Sequence, residues 1–134
     1  ISYRLVGSEM CIRDRATLSL QESHPDVPRI VRGIIKGFFE AHQHEPQLHQ
    51  VLMRVTPEAA RSDGKRTLTQ AVGAFLAARS ERFRPGIDPE LTAFIILEML
   101  DGAVQSATLH RTDLLADDRL VDALTDAVLR ILLP

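Results

Sequence analysis

The chain has 134 residues, which is enough for one domain with a substantial core and too few to expect two. Its formal net charge is -2 and its basic residues are scattered, so it offers no concentrated positive surface for phosphate groups. With no Trp and one Tyr it also lacks a base-stacking surface, and we expect no direct binding of nucleic acid.

The first stretch, residues 1–15, reads ISYRLVGSEMCIRDR and has neither helical nor strand periodicity. Within it, VGSEMCIRDR closely resembles a peptide that appears when sequencing-adapter DNA is translated at the end of an assembly contig. We therefore expect residues 1–15 to be a non-native tail and residues 16–134 to form the native domain. A disordered N-terminal tail is the alternative.

Two helices and a loop are predicted in the following part of the chain. Apolar residues at spacings of three and four predict an amphipathic helix over residues 26–43, with charged residues on its opposite face. A shorter helix is predicted over residues 45–55, because Pro46 fits its first turn. The Ser-Asp-Gly sequence at 62–64 then predicts a loop over residues 57–64.

The connector at 84–87 separates two longer predicted helices, residues 65–83 and 88–110. Asp88 is a favourable N-cap for the second of these, and Pro89 fits its first turn. Apolar side chains cover most of this helix and leave one narrow polar stripe. A single globular layer cannot bury so wide an apolar surface. We therefore expect the helix to be central in its own domain or shared with a partner chain, and we favour sharing.

A last amphipathic helix is predicted over residues 117–133, and the five helices together predict an all-α bundle. No apolar run approaches the length of a membrane span, and the N-terminus lacks the pattern of a signal peptide. The single cysteine, Cys11, allows no internal disulfide, which is compatible with a reducing compartment. We therefore expect a cytoplasmic protein without a membrane partner.

The histidines and serines do not form a recognisable metal or catalytic motif. His42 and His49 are seven residues apart, but a proline and a predicted helix end lie between them, and no cysteine or paired carboxylate completes a tetrahedral set. Histidines at helix ends or in solvent are the preferred interpretation. The chain contains no G-x-S-x-G motif, Gly-rich phosphate loop or convincing Ser, His and Asp arrangement. We expect no metal, no cofactor and no enzymatic activity.

Arg79 lies in the middle of the apolar face of the helix predicted over 65–83. A guanidinium in this position must reach solvent, pair with a carboxylate or face a polar cavity. Glu98, on the polar stripe of the next helix, is a possible partner, and Phe94 in the same stripe suits a ligand pocket of mixed polarity. The alternative, which we weigh more heavily, is a surface ion pair between Arg79 and Glu98 beside a packed Phe94.

The segments AHQHEPQLHQVLMRVTPEA (residues 41–59) and FIILEMLDGAVQSATLHR (residues 94–111) resemble parts of TetR-type (TetR/AcrR) bacterial transcription repressors. The first is similar to the family's pattern of a helix ending in Ala-His followed by a polar residue, Pro, a polar residue, Leu and His. The second is similar to the family's apolar stretch that closes in an acidic residue and Gly. The resemblance covers residues 16–134, without the family's N-terminal helix-turn-helix domain.

The resemblance implies an all-helical domain that binds a small, largely apolar effector and forms a homodimer through its last two long helices. DNA would be bound only through the missing helix-turn-helix domain, and repression is the default. A ligand-free helical dimerisation or adaptor domain is the alternative function. The expected ligand-binding residues are Phe38, His42, Leu52, Phe75, Arg79, Phe94, Glu98 and Gln105. The expected dimer interface consists of Ile95, Met99, Gly102, Ala103, Ser106, Leu120, Leu124, Val128 and Ile131.

Overall fold

A computed structural model of the chain describes residues 26–43, 51, 54–55 and 58–134, with side chains for all of these except 41–43 and 58–62. The described backbone forms four α-helices with defined bounds and no strand, which confirms the all-α prediction. The helices are α1 (Val27–Gln43), α2 (Glu58–Ala78), α3 (Pro89–His110) and α4 (Asp118–Leu132). Two short 3₁₀ helices, Ser80–Arg82 and Thr112–Leu115, lie in the connections.

The predicted helix over 45–55 falls mostly outside the described residues. Within it, Val51, Arg54 and Val55 are helical and exposed. Of the five predicted helices, the structure gives bounds for four. Of the fifth, it describes only these three residues.

The loop predicted over 57–64 is wrong, because α2 already begins at Glu58 and runs through the Ser-Asp-Gly sequence. Those residues favour turns but do not forbid a helix. The Asp63 carbonyl accepts a hydrogen bond from the Thr67 hydroxyl one turn later at 3.0 Å, as helical geometry allows. The predicted end at 83 is also too late, since the α-helix ends at Ala78.

α2 and α3 form an antiparallel hairpin. Lys65 near the start of α2 pairs with Glu98 and Asp101 around the middle of α3, whereas Gly73 further along α2 faces the beginning of α3. A Cβ atom added at Gly73 would lie 3.8 Å from the Ala93 Cβ and 3.8 Å from the Pro89 carbonyl oxygen. The two helices are thus close enough at Gly73 for a Cβ atom there to make ordinary van der Waals contact with α3.

The N-cap predicted for α3 is confirmed. The Asp88 carboxylate accepts a hydrogen bond from the Leu91 backbone N–H at 3.1 Å, and Pro89 occupies the first turn. α3 is also long and apolar enough to cross a membrane, with a mean hydropathy of 1.2, contrary to the expectation that no segment approaches a span. Its packing against α2 and α1 is that of a core helix.

α4 is tied to the connector between α2 and α3. The Arg84 backbone N–H donates to the Leu132 carbonyl at 2.8 Å, and the Arg84 guanidinium donates to the carbonyls of Arg130 and Leu133. These bonds satisfy acceptors that the end of a helix leaves unpaired. Next to Arg84, the Phe83 ring is buried in the core.

α1 packs against α4, and the two helices are also linked by ion pairs along their exposed edge. Arg32 Nη2 lies 3.1 Å from Asp122 Oδ1, and Lys36 Nζ lies 3.9 Å from Asp118 Oδ2. All four side chains are more than a third exposed, so each pair contributes little, typically less than about 1 kcal/mol. The apolar faces of the two helices must therefore supply most of their attraction.

Candidate functional site

The candidate binding site is a cavity of about 50 Å³ at the centre of the bundle. It lies between α1, α2, α3 and α4, and every described residue in its wall is apolar. α1 and α2 provide most of the wall, α3 and α4 provide the rest, and the cavity is partly open. The lining consists of Val27, Ile30, Val31, Ile34, Ile35, Leu68, Val72, Phe75, Leu76, Ile96, Leu97, Leu100, Val128 and Leu132.

Phe75 is the one predicted ligand-binding residue that the structure places in the wall of this cavity. Phe38 is half-buried and packs against the core, but it does not line the cavity. His42 lies in α1 but its side chain is not among the described ones, and Leu52 lies outside the described residues. The remaining four, Arg79, Phe94, Glu98 and Gln105, lie elsewhere.

The Arg79 guanidinium lies behind the cavity wall. Its Cζ atom is 4.6 Å from the centroid of the Phe75 ring, within the range of a cation–π interaction. The Phe83 ring packs against the same phenyl group, with the two centroids 5.9 Å apart at an interplanar angle of 57°. Arg79 therefore contacts the aromatic side chain of the wall, and its influence on a ligand would act through Phe75.

The pairing considered between Arg79 and Glu98 is wrong. Glu98 Oε1 lies 2.8 Å from Lys65 Nζ, and Lys65 is fourteen positions before Arg79 in the chain. At the helical rise this separation is about 20 Å, so one carboxylate cannot reach both cations. The error came from the unknown register between α2 and α3, which the sequence does not specify.

Lys65 instead joins a polar cluster on the outer side of the α2–α3 hairpin. Its Nζ atom lies 3.3 Å from Asp101 Oδ2, and Gln105 Nε2 donates to the same oxygen at 2.8 Å. The hydrogen bond with Glu98 raises the pKa of Lys65, and Asp101 acts in the same direction against the effect of burial. Lys65 was not predicted as part of a site, although Glu98 and Asp101, three residues apart on one helical face, indicated a cationic partner.

The outer face of α3 carries a stripe of exposed apolar and small residues, which we call the α3 stripe. Five residues predicted for the dimer interface lie along it: Ile95, Gly102 and Ser106 are exposed, and Met99 and Ala103 are half-buried. Three exposed apolar residues of α3 were missed by the prediction, namely Leu91, Phe94 and Leu109, which are 55%, 54% and 41% exposed. Helical periodicity places Leu91 and Leu109 in line with Gly102, so they extend the stripe along α3.

The interface residues predicted on α4 divide into two groups. Leu120 and Ile131 are half-buried on the flank of the helix, whereas Val128 is 2% exposed and Leu124 9% exposed within the core of the same chain. Val128 also lines the cavity. Leu124 and Val128 are therefore not available to a partner helix in this structure, because the inward face of α4 is centred on them.

Two of the three buried threonines, Thr108 and Thr125, form side-chain hydrogen bonds within their own helices. The Thr108 hydroxyl donates to the Val104 carbonyl at 2.8 Å, and the Thr125 hydroxyl donates to the Val121 carbonyl at 2.7 Å. Within the described part of the chain, no group of three or more His, Cys, Asp and Glu side chains is placed to hold a metal ion. The described site therefore offers hydrophobic contacts rather than ligands or general acids and bases.

Residues 26–132 match the family model described as Tetracyclin repressor-like, C-terminal domain. The match begins at the residue before α1 and ends with the last residue of α4, so it contains all four described helices and the cavity between them. No curated protein and no solved structure matches the chain.

Proposed function

Because the chain belongs to the family of Tetracyclin repressor-like C-terminal domains, we propose that residues 16–134 are the effector-binding and homodimerisation domain of a bacterial transcriptional regulator, by default a repressor. Domains of this family typically dimerise and bind small-molecule effectors. The observation that carries the proposal is the match over 26–132, which includes every described helix with defined bounds. The same membership supports a non-catalytic role in the cytoplasm.

The α3 stripe supports homodimerisation through α3, with α4 beside it. A partner copy would cover Ile95, which is 47% exposed, together with the apolar residues in line with it. Gly102 has open space where a Cβ atom would be, so a second helix could come close to its backbone. Leu120 and Ile131 on the flank of α4 would extend the contact.

The cavity supports effector binding beside α1. α1 provides five of the lining residues and carries the ion pairs with α4, so an enlarged cavity would alter the position of α1 relative to α3 and α4. We propose that the effector shifts the equilibrium between two positions of α1, and that α1 transmits this shift to a DNA-binding domain that precedes it in the whole protein. Among the residues predicted to bind the ligand, Phe75 lines the cavity, and Arg79 lies against its ring.

Sedimentation of the chain and of two matched variants tests the dimer. Ile95→Glu places a charge in the centre of the α3 stripe, and Ala74→Glu places the same charge on an exposed position of α2. We expect a dimer at micromolar concentration for the chain and for Ala74→Glu, and a monomer for Ile95→Glu, because a buried unpaired carboxylate opposes association. A monomeric wild-type chain would reject the proposed interface.

The size of the cavity favours a second candidate function, a helical dimerisation domain without a ligand. Drug-sized ligands occupy pockets of roughly 300 to 1,000 Å³, whereas this cavity measures about 50 Å³. A thermal-shift screen of small apolar compounds separates the two functions. Stabilisation that grows with compound concentration supports effector binding, and no stabilisation by any compound supports the ligand-free domain.

A further inference from the structure

We propose that Lys65, which lies on α2 outside the α3 stripe, allows the stripe to pair with a second copy of the chain by neutralising the Glu98 carboxylate within it. This inference rests on the proposed homodimerisation through α3. It makes a charged residue of the neighbouring helix a determinant of the affinity between the two copies.

Glu98 lies within the α3 stripe rather than beside it. Around the helix axis its position is about 20° from Leu91 and about 40° from Gly102. It follows Ile95 by three residues and precedes Gly102 by four, so the three residues are neighbours on one face. The Glu98 side chain is 44% exposed. A partner helix that covers Ile95 and Gly102 must therefore cover Glu98 as well.

A carboxylate in this position opposes association unless its charge is compensated. Covering it removes water from the charge, and the two-fold symmetry of a homodimer brings a second Glu98 to the same interface. Gly102 has open space for a second helix, and Glu98 lies about 6 Å from it along the helix axis. Two like charges near a close contact repel each other more strongly as water is excluded. The α3 stripe therefore needs a cation beside Glu98.

Lys65 supplies this cation from α2. Its Nζ atom lies 2.8 Å from Glu98 Oε1 and 3.3 Å from Asp101 Oδ2, and Gln105 Nε2 also donates to Asp101 Oδ2. Asp101 lies about 60° further round α3 than Glu98, on the side away from Ile95. Lys65 thus reaches Glu98 from the flank of the stripe that faces α2, and the apolar part of the stripe is left to a partner helix.

The charge balance of this cluster sets the size of the expected effect. One lysine and two carboxylates leave one net negative charge per copy, and without the lysine there would be two. All three side chains are at least a third exposed, so solvent weakens the repulsion between copies. We therefore expect the loss of Lys65 to weaken the dimer roughly tenfold, which is less than the effect of a fully buried unpaired charge.

Sedimentation equilibrium of the chain and its variants measures the dissociation constant of the dimer. Lys65→Met removes the charge and keeps an unbranched stem, whereas Lys65→Arg keeps a charge. Glu98→Gln is made alone and together with Lys65→Met, which completes a double-mutant cycle. Lys36→Met is the matched control, because Lys36 forms an exposed pair with Asp118 between α1 and α4. Circular dichroism checks that each variant is helical, and Lys65→Gln is the substitute if Lys65→Met is not.

We expect Lys65→Met to weaken the dimer roughly tenfold when Glu98 is present and less than about threefold in the Glu98→Gln background. The effect shrinks because the carboxylate that the lysine compensates is gone. Lys65→Arg and Lys36→Met should stay within about threefold of the wild-type value. Raising the NaCl concentration from about 0.05 to about 0.5 M should strengthen the Lys65→Met dimer more than the wild-type dimer, because salt screens repulsion between like charges.

Two results would overturn the inference while the wild-type chain remains a dimer and the proposed function survives. In the first, Lys65→Met leaves the dissociation constant unchanged. In the second, Lys65→Met weakens the dimer equally in both Glu98 backgrounds and without the added response to salt, which would show that the lysine acts through packing alone. A wild-type chain that is monomeric at micromolar concentration would instead reject the α3 interface, and this inference with it.

Discussion

Arg84 is expected to stabilise the domain by bonding the connector after α2 to the end of α4. Its guanidinium donates to the Arg130 carbonyl and, at 3.4 Å, to the Leu133 carbonyl. Hydrogen bonds from charged donors contribute about 1.5 to 3 kcal/mol each. Because Arg84 is exposed and its second bond is long, we expect the pair to contribute about 1.5 kcal/mol in total.

Arg84→Met tests this value, because methionine keeps an unbranched apolar stem and removes the donors. The backbone bond from Arg84 to Leu132 does not depend on the side chain and should persist. For a domain of this size, a loss of about 1.5 kcal/mol lowers the Tm by roughly 4 to 8 °C. Thermal unfolding followed by circular dichroism, at one fixed protein concentration, measures the change.

Arg119→Met is the matched control. Arg119 is also exposed, but its guanidinium bonds Asp117 two residues away and does not link distant parts of the chain. We expect its Tm to stay within about 1 °C of the wild-type value, as for most surface substitutions. If Arg84→Met also stays within this range, the Arg84 side chain does not stabilise the contact between α4 and the connector.

Three further substitutions have defined outcomes. Gly73→Ala should raise the Tm, because a Cβ atom there meets Ala93 at an ordinary contact distance. Alanine also favours a helix over glycine by roughly 0.5 to 1 kcal/mol. A lower Tm would show that α2 and α3 are closer than described. Asp88→Ala should cost about 1 kcal/mol in chemical denaturation because the N-cap of α3 is lost, and an unchanged unfolding midpoint would contradict that cap. Lys65→Met should remove an alkaline loss of stability. The raised pKa means that the contribution of Lys65 is complete below its ordinary value of 10.5 and disappears as the pH rises through the higher folded value. A Tm difference between wild type and Lys65→Met that does not change with alkaline pH would refute this linkage.

Much of the fold was predictable because helical periodicity and capping are local. The apolar spacing of α1 gave its bounds within one residue, and Asp88 caps α3 as expected. The family resemblance seen in residues 41–59 and 94–111 is confirmed by the match over 26–132. The start of α2 was not predictable, because tertiary packing of its apolar face overrides the turn preference of residues 62–64.

The candidate site was less predictable because it depends on register and distances between helices. Periodicity places Arg79 on an apolar face but does not reveal that its guanidinium lies over Phe75, or that Glu98 faces Lys65. Leu124 was likewise predicted to lie in the dimer interface, although its side chain is on the buried, inward face of α4. The volume of a cavity is set by how four helices approach one another, and no single segment encodes it.

Cross-linking through introduced cysteines tests the central proposal most directly, namely that the α3 stripe meets the same stripe of a second copy. In a Cys11→Ser background, single cysteines at Ile95, Gly102 and Ser106 would lie in the interface, and one at Ala74 would lie outside it. We expect at least one stripe position to form a covalent dimer under mild oxidation, because cysteines near a two-fold axis come within disulfide distance. Equal cross-linking at Ala74, or none at any stripe position, would contradict a dimer formed through α3.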